Sequence, residues 1–185
     1  MKINKNEEIN KIQRGDISPI FLYNTPWKKS IPFSSPFAKP VVLFFLRYIG
    51  CPICQLEISK IKKNQELLSK YNVFVVLQSK PETVANQISE TDLPFAILCD
   101  PKEELFKLFK VQNGSLLSYL HPHNLLTLLI ALSKGIMHGK FEGKEKQVPA
   151  VFVLLPNGKV QYAYYGKRID DLPNLKVIVS LDLEN

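Results

Sequence analysis

The segment Val41-Val42-Leu43-Phe44-Phe45-Leu46-Arg47-Tyr48-Ile49-Gly50-Cys51-Pro52-Ile53-Cys54 sets the architecture of this chain. Its first six residues are an unbroken β-branched and aromatic run, the pattern of a strand covered on both faces. Gly50-Cys51-Pro52 ends the run. Proline suits a first helical position, because its φ is preset and its missing N–H has no partner to lose there. A helix over about residues 52–70 is therefore expected, with Cys54, Ile58, Ile61 and Leu68 on one apolar stripe at spacings of four, three and seven.

Strand and helix signals alternate outward from this segment. Tyr71 to Leu77 reads as a second strand, and Pro81-Glu82-Thr83 opens a second helix with an early acidic residue. Phe95 to Cys99 is a third short apolar run. Asp100-Pro101 after it supplies an N-cap and a first-turn proline for a helix over about 101–110. Ala150 to Leu155 and Val160 to Tyr165 read as an antiparallel hairpin, because Asn157-Gly158 is the strongest short hairpin signal. Pro173 to Leu183 suits a closing helix, although Val177-Ile178-Val179 fits a strand equally. The sum is an α/β chain with a central mixed sheet flanked by helices.

Two stretches stand outside that alternation. Residues 1–36 carry Pro19, Pro26, Pro32 and Pro36 among scattered aromatics and read as an irregular lead-in to a domain over 37–185. Residues 111–147 read as an insertion after the third strand. It carries a helix over about 115–138, whose apolar face is marked by Leu125, Leu128, Leu129, Leu132 and Ile136.

Composition narrows the function. In 185 residues, 45% are hydrophobic and 22% charged, which excludes a disordered, collagenous or coiled-coil chain and favours one domain. The net charge of +7 comes from lysines spread from Lys2 to Lys176, and only Arg14, Arg47 and Arg168 are arginines. That scatter argues against nucleic acid as a partner. Met1 to Glu8 holds no apolar core of the kind a secretory signal needs, so a cytoplasmic location is expected. The longest apolar runs, Val41 to Leu46 and Leu125 to Leu132, are far short of the about 20 residues that span a bilayer, so no membrane association is expected.

Three cysteines are too few for a disulfide framework, and two of them form Cys51-Pro52-Ile53-Cys54 at a strand-to-helix turn. In that context a cysteine pair reads as a redox motif. At a helix N-terminus the Cys51 thiolate is favoured by free N–H groups and the helix dipole, which makes it the candidate nucleophile. Cys54, one turn on along the apolar stripe, is the candidate resolving thiol. Arg47 stands close enough before the turn to add positive charge beside the thiolate.

Other readings of the pair remain open: half of a zinc site completed from Cys99, His121, His123 and His138, or two buried structural cysteines. His121-Pro122-His123 lacks the three-to-five-residue gap usual between paired zinc ligands, so no metal is expected. Cys99, at a strand end, reads as core. His121 and His123 read as exposed. Val148-Pro149, directly before a strand, is a candidate substrate-binding segment beside the sulfurs.

Taken together, Leu46 to Cys54, Gln147-Val148-Pro149-Ala150-Val151-Phe152, Asn157-Gly158-Lys159-Val160, Tyr164-Tyr165-Gly166-Lys167 and Asp171-Leu172-Pro173 resemble the peroxiredoxin-like branch of the AhpC/TSA family over about residues 18–180. The resemblance implies a thioredoxin-like fold and an antioxidant thiol oxidoreductase with Cys51 as nucleophile and a cis proline at Pro149. It also implies a peroxide or disulfide substrate. No bound cofactor would be needed, only an external thiol reductant such as thioredoxin or glutathione, and a homodimer is compatible with such a fold. One departure stands out. Phe44 and Tyr48 occupy the positions of the proline and the peroxide-orienting threonine of typical peroxiredoxins, while Cys54 sits where glutaredoxin-like reductases carry their second cysteine. Peroxide reduction and disulfide reduction are therefore both expected activities, with a redox-sensing binding module that does not turn over as the alternative.

Overall fold

The computed structural model describes residues 11–183. Five strands build one mixed sheet: β3 (Val41–Phe45), β4 (Asn72–Leu77), β5 (Ala96–Cys99), β6 (Ala150–Leu154) and β7 (Val160–Tyr165), numbered after a two-stranded ribbon of β1 (Phe21–Tyr23) and β2 (Ile31–Phe33). Their spatial order is β5-β4-β3-β6-β7. β3, β4 and β5 run parallel, joined by crossovers, whereas β6 and β7 are antiparallel to their neighbours. Phe44 pairs with Val75 on one side and with Val151 on the other, so the strand that opens the redox motif is the centre of the sheet.

Every residue of β3 is buried, which is why it reads as an unbroken apolar run. The period of two divides it between two cores. Val42 and Phe44 join Ile58, Ile61 and Leu68 on the side of helix α1 (Pro52–Lys63). Leu43 and Phe45 join Phe106, Phe109 and Phe152 on the opposite side. There the Phe45 ring lies 5.1 Å from Phe106 and 5.0 Å from Phe109. The first contact is edge-on and the second tilted, and aromatic contacts of this kind add to simple area burial. Three short helices complete the frame, α2 (Pro81–Ala85), α3 (Glu104–Leu108) and a closing helix, which is the last in the chain.

Several expectations need correction. The lead-in is not irregular throughout: β1 and β2 pair antiparallel, Phe33 is only 2% exposed, and its ring stacks 4.4 Å from Phe21 as a lid on the second core. Strands of three residues are too short to display a period, so the sequence hid them. Residues 1–10 of the lead-in lie outside the described residues. α1 stops at Lys63, where the Asn64 side-chain amide donates to the Lys60 carbonyl at 2.8 Å, and turns carry the chain on to the buried Leu68. α3 begins at Glu104 rather than 101. Asp100 still caps it, accepting from the N–H groups of Glu104, Leu105 and Phe106.

The insertion departs most. Its helix is broken into α4 (Leu116–Tyr119) and α5 (Pro122–Ser133), with His121 as N-cap and Pro122 at the first position of the second piece. The buried residues of α5 are Asn124, Thr127 and Ala131, and the expected apolar face points the other way, with Leu125, Leu129 and Leu132 exposed. α5 packs on α1. The closing helix α6 (Leu175–Val179) buries Ile178 and settles the ambiguity of the last apolar run in favour of helix.

Candidate active site

Cys51 is the N-cap of α1, with extended backbone angles and Pro52 immediately inside the helix. Its Sγ accepts the backbone N–H of Cys54 at 3.4 Å, so the thiol does the work of a capping oxygen and an orphan donor is satisfied by sulfur. Cys51 and Cys54 are both free thiols, 0% and 3% exposed. Arg47, itself buried, donates from Nη2 to Cys51 Sγ at 2.7 Å. Burial alone would push the Cys51 thiol up. Hydrogen bonding with the Cys54 thiol, the Arg47 charge and the N–H groups of Cys54 and Ile53 outweigh it and bring the thiol down from 9.0 to about 6. Cys54 goes the opposite way. Burial, its hydrogen bond to Cys51 and the nearby negative charge hold its proton well above the usual range. One thiol is thus poised as thiolate at neutral pH and its neighbour as thiol.

Arg47 is held in turn by the insertion. Its Nη1 donates to the Glu145 carbonyl at 2.7 Å and to the Glu145 carboxylate at 3.0 Å. Tyr48, fully buried, donates its hydroxyl to the other Glu145 oxygen and stands 3.1 Å from His138 Nε2. The second nitrogen of His138 lies 2.7 Å from the Gly139 carbonyl and must donate to it, which leaves Nε2 with a lone pair when the ring is neutral. A single phenolic proton then faces two acceptors, the carboxylate and the imidazole. Burial, then the hydrogen bond to Glu145, raise the Tyr48 phenol far above its usual range, so it stays a proton donor.

Other contacts also fasten the insertion to the rest of the domain. The Gly139 N–H donates to the Gly50 carbonyl at 2.8 Å, and a Cβ at Gly50 would collide with the Lys140 carbonyl oxygen. Glycine before the motif is thus required by a close backbone crossing. Gln78, following β4, receives the Lys144 N–H at 2.7 Å and donates to buried Gln147 at 3.1 Å. Asp170, whose side chain is 1% exposed, accepts from Thr127 at 2.7 Å, from Arg168 at 3.2 Å and from His123.

A cavity of about 390 Å³ opens between these parts. Its walls are mostly apolar, formed by Pro52, Ile53, Leu120, Leu125, Phe141 and Ile169 among others, with Arg47, Asn124, His138 and Glu145 as polar members. Among the described residues, two buried polar atoms of this lining have no hydrogen-bond partner, the donor Arg47 Nε and the acceptor Asn124 Oδ1. Buried polar atoms are rarely left unpaired.

The structure therefore brings Arg47, Cys51 and Cys54 together. Of the predicted site residues only Arg47 lines this cavity; Val148 and Pro149, like Cys51 and Cys54, are buried outside its lining. Pro149 also lacks the expected cis bond: among the described residues the only cis peptide is Ser35–Pro36. The Pro149 carbonyl instead accepts the Gly166 N–H at 2.8 Å, which holds the segment at the base of β6. Cys99 is buried, and burial raises its thiol to about 12. Among the described residues no group of three or more His, Cys, Asp or Glu is placed to hold a metal. Glu145, His138 and Asp170 had no motif to announce them. Tyr48 was visible only as a replacement for threonine.

Comparison with known proteins follows the same lines. No curated protein matches the sequence. The fold is similar to that of a peroxiredoxin-like protein from Aquifex aeolicus (16% identity, 91% of this chain and 85% of that one, TM-score 0.66). It is also similar to a thiol peroxidase from Chromobacterium violaceum (17% identity, 91% and 85%, TM-score 0.63). A third likeness is to the peroxidoxin BcpB from Mycobacterium tuberculosis (17% identity, 86% and 90%, TM-score 0.60). Identities this low establish a shared thioredoxin-like fold. The sequence itself matches the AhpC/TSA family over residues 16–163, most of the chain and all of its redox motif, so this protein belongs to the AhpC/TSA family of thiol-dependent oxidoreductases.

Proposed function

We propose that the chain is a peroxidase for hydroperoxides with an apolar substituent, working through a dithiol cycle of Cys51 and Cys54. The observation that carries this reading is Arg47, whose Nη2 touches Cys51 Sγ at 2.7 Å, whose buried Nε–H has no hydrogen-bond partner, and whose side chain also lines an apolar cavity. The Cys51 thiolate attacks the terminal oxygen of the hydroperoxide. The S–O bond forms, the O–O bond breaks, the hydroperoxide proton leaves with the alcohol, and the Cys51 sulfenate takes a proton from water to become the sulfenic acid. In this reading Arg47 Nε–H hydrogen-bonds the oxygens as negative charge moves onto the leaving one. In this role the guanidinium takes over from the threonine hydroxyl that Tyr48 replaces. The Cys54 thiol then attacks the Cys51 sulfenic acid, releasing water and closing a disulfide. An external thiol reductant, thioredoxin or glutathione, returns both sulfurs to the thiol state by exchange.

The test is steady-state turnover with dithiothreitol as reductant, comparing cumene hydroperoxide, hydrogen peroxide and a small disulfide. The expected result is faster consumption of cumene hydroperoxide than of hydrogen peroxide, loss of turnover to the uncatalysed background in Cys51→Ser, and a dimedone-trappable sulfenic acid that accumulates in Cys54→Ser. Turnover of the disulfide alone would make the protein a reductase. A single oxidation with no second turnover on any substrate would make it a sensor.

A further inference from the structure

α5 is an amphipathic helix turned inside out. It shows the domain its small side chains, Asn124, Thr127 and Ala131, and shows solvent most of its leucines. Ten of the seventeen large apolar side chains exposed among the described residues fall between Leu116 and Phe141. The most exposed are Leu117 at 82%, Met137 at 70% and Phe141 at 68%. So many exposed apolar side chains within one short segment mark a place where something binds.

Charge decides what covers it. From Val111 to Phe141 the sequence has no aspartate or glutamate, while Lys134, Lys140 and all three histidines of the chain lie there. Both lysines are exposed. A second copy docking face to face would set these cations against each other, because a two-fold interface brings the same patch to itself. An anionic bilayer matches both features, acyl chains for the leucines and lipid headgroups for the lysines. The run Leu116–Ser133 has the length and composition of a membrane-crossing helix, and only 17% of it is buried. It does not lie free to cross one. Pro122 breaks it, α5 packs on α1, and Thr127 and His123 are tied to Asp170.

We propose that α4, α5 and the loop to Phe141 form a docking face for an anionic membrane surface, on which the protein lies with Leu117, Leu126 and Leu129 among the acyl chains and Lys134 and Lys140 against the headgroups. Leu120, Leu125 and Phe141 belong both to this face and to the wall of the cavity that Arg47 lines, so docking turns the cavity toward the lipid. The sequence expectation of no membrane association counted only spanning segments, and a surface helix needs no such length.

The experiment is co-sedimentation of the full chain with vesicles of phosphatidylcholine alone and with phosphatidylglycerol added. Binding to the phosphatidylglycerol vesicles, weakened by salt, is expected. Lys134→Glu and Lys140→Glu should each weaken it by at least about fivefold, since a lysine near an anionic surface contributes about 1 kcal/mol. Leu117→Glu and Leu129→Glu should each weaken it more than about tenfold, on the scale by which a charge replaces an apolar side chain in lipid. All four side chains are exposed and outside the cavity, so melting temperature and turnover of a soluble hydroperoxide should stay at wild-type values. Absence of binding to phosphatidylglycerol vesicles, equal binding to phosphatidylcholine alone, or indifference to Leu117→Glu would each overturn the proposal. So would a dimer in solution that Leu117→Glu dissociates. Vesicle binding and peroxide turnover are separate readouts, so either can fail alone.

Discussion

α1 and α5 lie against each other and are each twelve residues long, yet they are built on opposite plans. α1 buries Cys54, Ile58 and Ile61 against the sheet and turns Lys60, Lys62 and Lys63 toward its C-terminus, where cations favour the dipole. α5 buries an amide, a hydroxyl and a methyl, and is held by specific hydrogen bonds to Asp170 and the end of α4. The difference separates two kinds of stability. The hydrophobic effect holds the helix that presents the nucleophile, and directional polar contacts hold the helix that walls the cavity.

The largest effect is expected where burial is deepest. Ile61→Ala in α1 should destabilise the protein by about 2–5 kcal/mol, the usual cost of a buried aliphatic truncation with its cavity. Denaturant unfolding of the reduced protein measures it. A cost below about 1 kcal/mol would break the comparison, because α1 would then rest on something other than its apolar face.

The second prediction concerns what α1 presents. Arg47→Met removes the positive charge 2.7 Å from Cys51 and should move the thiol from about 6 back toward 9.0. At pH 7 the thiolate fraction then falls by up to about a hundredfold, and iodoacetamide alkylation of Cys51 slows with it. In the wild type the folded value lies below the unfolded one. Ionisation of Cys51 therefore stabilises the fold fully above pH 9.0, and that contribution is lost as pH falls through about 6. An alkylation profile with its midpoint at the ordinary thiol value would refute the role assigned to Arg47.

These two predictions rest on features with unequal sequence signals. The Arg47–Cys51–Cys54 constellation is legible because it is local: strand, turn, helix start and both sulfurs fall within one short segment, and backbone geometry alone brings them together. Glu145 lies 98 positions from Arg47, in an insertion with no repeating pattern, and nothing in the chain marks it as the residue that holds the guanidinium. The orientation of α5 is hidden for another reason. Asn124, Thr127 and Ala131 recur at helical spacing just as the leucines do, so periodicity identifies an amphipathic helix without saying which side faces the protein. Side-chain hydrogen bonds to a buried carboxylate turn the side opposite the leucines inward.

That carboxylate gives the third prediction. Burial works against the charge on Asp170, but hydrogen bonds from Thr127 and His123 and the charges of His123 and Arg168 prevail and hold it below the ordinary carboxylate value. Its stabilising contribution is therefore complete above the unfolded value of about 3.8 and is lost as pH falls below it. Asp170→Asn should cost about 1–3 kcal/mol near neutrality and flatten the acid limb of the stability curve. Equal acid sensitivity in the variant and the wild type would remove Asp170 from the anchoring of α5.

The smallest effect is the sharpest discriminator. Leu129→Ala deletes an apolar side chain in α5 as large as those that hold α1, but Leu129 is 54% exposed. If the leucines of α5 contribute nothing to folding of the free chain, the variant should unfold within about 0.5 kcal/mol of wild type, the range of surface substitutions away from packed contacts. A loss on the scale of Ile61→Ala would mean that α5 turns its leucine face inward in solution, and the polar anchoring would then be the wrong account. A null effect on stability leaves the leucines without a folding role, so their retention on that face requires a surface outside the molecule to act on.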